Sequence, residues 1–111
     1  MENWMKELDG AVTICNKEGI IVYMNDRSVE SYKDFGGAKL LGTDLMPCHS
    51  EDSKKKLAGM LSAPTLNIYT TEKNGKKKII YQAPWMENGK HMGIIELALP
   101  IPSDMPHFIR S

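Results

Sequence analysis

Two short turn signals constrain this chain more than any other feature. Asn74-Gly75, and again Asn88-Gly89, stand between runs of β-forming residues. Asparagine and glycine both accept a positive φ, so such a pair favours a tight hairpin whose strands keep their natural twist. The runs 65–73, 76–86 and 91–99 are therefore expected to fold back on one another as antiparallel strands. Leu66 and Ile68, then Ile79, Tyr81, Ala83 and Trp85, then Gly93, Ile95 and Leu97 recur at every second position, each set marking one strand face. Pro84 lacks an N–H and implies an edge or a bulge.

Ahead of this meander, 11–15 and 20–24 are β-rich and flank Asn16-Lys17-Glu18-Gly19, a polar turn closing on glycine. The stretch 25–45 is irregular. Asn25 or Asp26 can cap a short helix through Arg27, Val29 and Tyr32, Gly36-Gly37 interrupts it, and 38–41 makes at most one more turn before Gly42. A longer helix is expected over 51–61. Ser50 stands at its cap, Glu51 and Asp52 fill the first turn, and Lys54, Lys55 and Lys56 follow, an order that complements the helix dipole. Leu57, Met60 and Leu61 form its buried stripe, and Pro64 ends it. At the start, Trp4, Met5 and Leu8 have helical spacing, predicting a cap helix over 1–8 that is too short to stand without packing. Pro100, Pro102 and Pro106 predict an extended tail over 100–111, leaving 9–99 as the domain. The order helix, two strands, helical crossover and three strands describes an α+β fold, a five-stranded antiparallel sheet with the crossover on one face.

Length and charge narrow the function classes. The chain has 111 residues, the size of one domain. Its 41% hydrophobic and 25% charged content is that of a globular protein, with no apolar run of about 20 residues to span a bilayer. The first residues lack a basic flank and an apolar stretch, so no secretory signal is expected. A net charge of zero offers nothing to attract nucleic acid or anionic lipid. Two cysteines cannot build a disulfide scaffold, which makes a reducing cytoplasm the expected compartment.

Several strings on these elements resemble the PAS domain family. Gly19, Ile21, Tyr23 and Asn25 match its G-x-I-x-Y-x-N string in the second strand. Leu40-Leu41-Gly42 resembles its L-L/I-G turn, His49-Ser50-Glu51-Asp52 its H-P-E-D before the long helix, and Asp9-Gly10 its D-G before the first strand. The resemblance covers about 8–99 and implies a PAS-like fold. It also implies a non-enzymatic sensory module that binds a small ligand inside or a protein partner on its sheet, and that forms a homodimer. One departure stands out. Many relatives end in D-I-T and feed a helical linker, whereas here Leu97-Ala98-Leu99-Pro100-Ile101-Pro102 blocks that continuation. A signal would then leave through a surface or through dimer geometry.

The resemblance places a cavity between sheet and crossover. Its expected lining is Met46, Leu57, Met60, Leu61, Leu66, Ile68, Tyr81, Ile95 and Leu97, which suits an apolar or aromatic small ligand. His49 carries two readings, a structural or capping role and ligation of haem or metal. A haem-binding gas or redox sensor is thus the alternative function. The flavin-reactive N-C-R-F-L-Q string is absent, Cys15 reads as a buried thiol, and a Cys15–Cys48 redox pair has no spacing argument behind it. Cys48-His49 as a nucleophilic pair lacks a placed base and orienting group. The runs Lys54-Lys55-Lys56 and Lys76-Lys77-Lys78 read as solvated faces without the interleaved aromatics that stack bases. Trp4, Met5 and Leu8 are the expected interface, against the simpler reading that they pack on their own domain.

Overall fold

The computed structural model describes residues 3–111, except for the side chain of Cys48. β1 (Ala11–Asn16) and β2 (Ile21–Met24) form the first hairpin, followed by helix α1 (Asp26–Ser31). Three 3-10 turns, Lys33–Phe35, Gly37–Leu40 and Met46–Cys48, lead to helix α2 (Glu51–Ser62). β3 (Asn67–Lys73), β4 (Lys76–Glu87) and β5 (Lys90–Ile101) complete a five-stranded sheet of order β2-β1-β5-β4-β3, with every neighbouring pair antiparallel. The architecture is the α+β arrangement expected from the turn and helix signals.

Local chemistry accounts for the joints. Asn74 (φ 54) with Gly75 (φ 75), and Asn88 (φ 51) with Gly89 (φ 77), each supply two successive positive φ values, the geometry of a two-residue hairpin loop. In the first hairpin the Asn16 side chain accepts from the backbone N–H groups of Glu18 and Ile20, both at 3.0 Å. Ser50 caps α2 by accepting from the Ser53 N–H at 3.3 Å. Asn25, not Asp26, caps α1, and its amide is fully used. Oδ1 accepts from the N–H groups of Val12 and Ser28 at 2.9 and 3.0 Å, while Nδ2 donates to the carbonyls of Met5 and Gly10 at 2.9 and 2.8 Å. One buried side chain thus pins the N-terminal segment, β1 and α1 together.

Three expectations are corrected. The cap helix over 1–8 is absent from its described part, where residues 4–7 form turns. The reason is competition for carbonyls: Asn25 Nδ2 takes that of Met5 and the Asp26 N–H takes that of Lys6. The tail begins later than 100, because β5 continues through Pro100 to Ile101. β1 pairs with β5 only as far as Ala98, so Pro100 sits where the strand has one neighbour, a place that tolerates proline. Pro84 follows the same rule, lying beyond the last β3–β4 pair at Gln82 and beside a bulge at Trp85/Met86.

The third correction concerns strand faces. α2 lays Leu57, Met60 and Leu61 against Cys15 and Ile94 to form the core, with Leu45 and Met46 packed on its edge. The sheet therefore turns the side of Cys15, Ile80 and Ile94 toward the crossover, and Tyr81, Ile95 and Leu97 point the other way. The strand alternation was read correctly, but the more apolar set lies on the face the helices leave uncovered.

Candidate functional site

Between the crossover and the inner sheet face lie two adjoining chambers that share Tyr32, His49, Leu57, Gln82 and Glu96. The inner one, about 50 Å³, is walled by Cys15, Ile21 and Ile94 from the sheet side and by Leu40, Leu45 and Leu57 from the crossover. The outer one, about 220 Å³, opens past Ser53 and Lys56 of α2 and past Asn67, Tyr69 and Thr71 of β3. An apolar pocket thus opens into a polar vestibule, with a few polar groups placed at the junction, the composition usual for small-molecule sites.

A row of polar side chains crosses the floor. Asn67, Gln82, Glu96 and Thr13 are successive cross-strand partners on β3, β4, β5 and β1. Asn67 Nδ2 donates to Gln82 Oε1 at 2.7 Å, and Gln82 Nε2 donates to Glu96 Oε2 at 2.7 Å. A carboxylate only accepts, so Glu96 dictates which way the Gln82 amide faces and, through it, the orientation of Asn67. Such chains polarise in one direction and are stronger than isolated amide pairs. Gln82 is only 8% exposed, so both its ends need these partners. Thr13 continues the row through a 2.6 Å hydrogen bond with the Ser28 hydroxyl.

The charge of Glu96 is felt by its neighbours. Burial pushes the Cys15 thiol up, and Glu96 pushes it further the same way. Burial and then Glu96 do the same to the Tyr69 phenol. A thiol held protonated in this way is a poor nucleophile. His49 holds Nδ1 2.8 Å from the Leu45 carbonyl and lines both chambers just ahead of the α2 cap. Nδ1–H is the donor, which leaves Nε2 as the acceptor in the neutral ring. The inner chamber alone has space for a few water-sized groups, and these surroundings give the haem alternative no added support. Among the described residues no group of three or more His, Cys, Asp or Glu is arranged to hold a metal ion.

Of the expected lining, Leu57 borders both chambers. Met60 and Leu61 lie in the core beneath, and Met46 packs on its edge. Leu66, Ile68 and Tyr81 are 58%, 48% and 36% exposed, and with Ile95 and Leu97 they stand outside the cavity. Asn67, Gln82, Glu96 and Tyr69 were missed. Hairpin counting from Asn74-Gly75 would have paired Asn67 with Gln82, the one signal available for them. Trp4 is 70% exposed, while Met5 and Leu8 are half-buried. Cys48, and with it any Cys15–Cys48 pairing, lies outside the described side chains.

No family model and no curated protein matches this sequence. Solved structures do match in shape. The Aer2 receptor of Vibrio cholerae, a dual PAS-heme oxygen sensor, aligns with TM-score 0.59 at 15% identity over 84% of this chain and 95% of that one. A sensory box sensor histidine kinase from the same organism aligns with TM-score 0.58 at 16% identity, over 88% and 86% of the two chains. VqmA bound to DPO aligns with TM-score 0.61 at 16% identity, over 89% of this chain and 55% of that one. At these identities the likeness is one of fold, and the fold is PAS-like.

Proposed function

We propose that this chain is a non-enzymatic sensory module. A small molecule held between crossover and sheet changes how the outer sheet face meets a second copy of the chain. The observation that carries this reading is the two-chamber cavity, apolar within and crossed by the Asn67–Gln82–Glu96 row at its floor. The protonated, buried Cys15 thiol supports a binding role over a chemical one. On the far side of the sheet, Ile68, Tyr81, Leu97 and Val12 form an apolar cross-strand row. With the N-terminal Trp4, Met5 and Leu8, the open β3 end of this row, Ile68 and Tyr81, is the surface proposed for the homodimer or another protein partner. The module works in the cytoplasm in this reading, where its cysteines stay reduced.

Transmission needs no long path. Gln82 and Tyr81 are neighbours on β4, as Glu96 and Leu97 are on β5, so a ligand that re-seats one strand face moves the other. A ligand that binds one packing of the crossover more tightly shifts the population toward it and changes the affinity for the partner. VqmA, which is described as a dimer and as bound to DPO, offers a parallel within the same fold. Native mass spectrometry of freshly purified protein, with denaturing mass as control, tests the reading. The expected result is a dimer carrying added mass that leaves on denaturation and is missing from Leu57→Trp, which fills the junction of the chambers. A bare monomer at every concentration overturns it.

A further inference from the structure

We infer that the cavity selects a small apolar or aromatic molecule carrying a protonated amine, with Glu96 as its counter-charge. This names the ligand class and rests on the sensory reading above. Glu96 Oε2 accepts from Gln82 Nε2, a neutral donor. No ion pair involves Glu96 among the described residues, and Lys56, exposed at the vestibule, forms none with it. The carboxylate therefore stands at the junction of both chambers, partly withdrawn from water and without a cation. A carboxylate so placed favours any arrangement that brings a cationic N–H donor to it.

The rest of the floor adds selectivity. One N–H of each amide in the row is spent across the strands toward Glu96. Burial raises the Cys15 thiol and the Tyr69 phenol, and Glu96 adds to both in the same direction. Leu57 and Ile94 border the inner chamber and accept the apolar part of the ligand. The outer chamber, about 220 Å³, is large enough for a single ring with a short arm. An anionic ligand would meet Glu96 as a like charge, and a neutral one would leave that charge without a counter-ion.

Three probes with the same ring and arm test the inference: phenethylamine, 2-phenylethanol and phenylacetate, titrated calorimetrically into the full chain. The amine is expected to bind about tenfold more tightly than the alcohol, as a charge-assisted hydrogen bond implies, with phenylacetate weakest. In Glu96→Gln, which keeps the shape and the Gln82 contact, amine and alcohol should bind within about twofold of each other. Alcohol or acid binding as tightly as the amine overturns the inference, and so does an amine preference that survives Glu96→Gln. Failure of all three probes to bind overturns it as well. The wild-type comparison stands even if the variant does not fold. The sensory reading is judged separately, by the mass adduct and its loss in Leu57→Trp, so a neutral adduct with no amine preference removes only the ligand class.

Discussion

The two faces of this sheet are made by the same strands yet obey opposite rules. Along one cross-strand row run Asn67, Gln82, Glu96 and Thr13, hydrogen-bonded and covered by the crossover. One residue over, Ile68, Tyr81, Leu97 and Val12 make an apolar row, and its β3 end is open to solvent. An antiparallel sheet covered on one side normally hides its apolar set there and shows its polar set to water. Here the covered face carries the polar row beside the core residues Cys15, Ile80 and Ile94, while the apolar row runs from exposed Ile68 to Val12, only 2% exposed. In the proposed function the two sides are used differently, with a recognition surface inside and a docking surface outside. Only the β3 end of the apolar row leaves apolar surface open, at Ile68 and Tyr81.

The sharpest way to break this contrast uses adjacent residues of β5. Ile94 is buried against the core and Ile95 stands on the outer face, and the two lose the same β-propensity on truncation. Ile94→Ala should cost about 3 kcal/mol in urea unfolding of dilute protein, and Ile95→Ala at most about half of that. Equal losses would mean that the faces are not distinct. The next effect is smaller. Gln82→Met removes both bonds of the row and strands Asn67 Nδ2 and Glu96 Oε2, for a loss of about 2 kcal/mol. A neutral outcome would reduce the row to decoration.

The smallest effect is one of pH. The unfolded Cys15 thiol ionises near its ordinary 9.0, while burial, with Glu96 behind it, holds the folded thiol protonated. Its contribution is therefore complete below pH 9.0 and is lost as pH climbs through the raised folded value. Stability should decline above that pH, and Cys15→Ala should flatten the decline. An unchanged slope in that variant would show that the thiol does not sense the inner face.

How much of this was legible in the sequence differs between backbone and site. Each hairpin loop rests on two adjacent residues, and the Ser50 cap acts over three, so local chemistry alone announces them. The PAS-like order of elements follows from such signals. The floor of the cavity does not. Counting outward from Asn88-Gly89 without interruption would set Gln82 opposite Ile95. The bulge at Trp85/Met86 shifts the register by one and brings Gln82 to Glu96. His91 braces that bulge by donating from Nε2 to the Gly93 carbonyl at 2.9 Å, and Gly93 is required because a Cβ there would strike the Cys15 carbonyl across the β1–β5 pairing. The Gln82–Glu96 pairing and the Cys15–Gly93 approach join residues far apart in sequence.

Alternation along a strand sorts residues into two sets, and the sequence by itself determined those sets, the turns between the strands and the helix that follows Ser50. It carried no mark of which set the crossover would cover, because that depends on where residues 25–62 pass relative to strands that follow them in the chain. Tertiary structure decided it. α2 settles its Leu57, Met60 and Leu61 stripe on Cys15 and Ile94, and once those five are in contact the polar row must lie inside and the apolar row outside. A period of two has no preferred sign until packing supplies one.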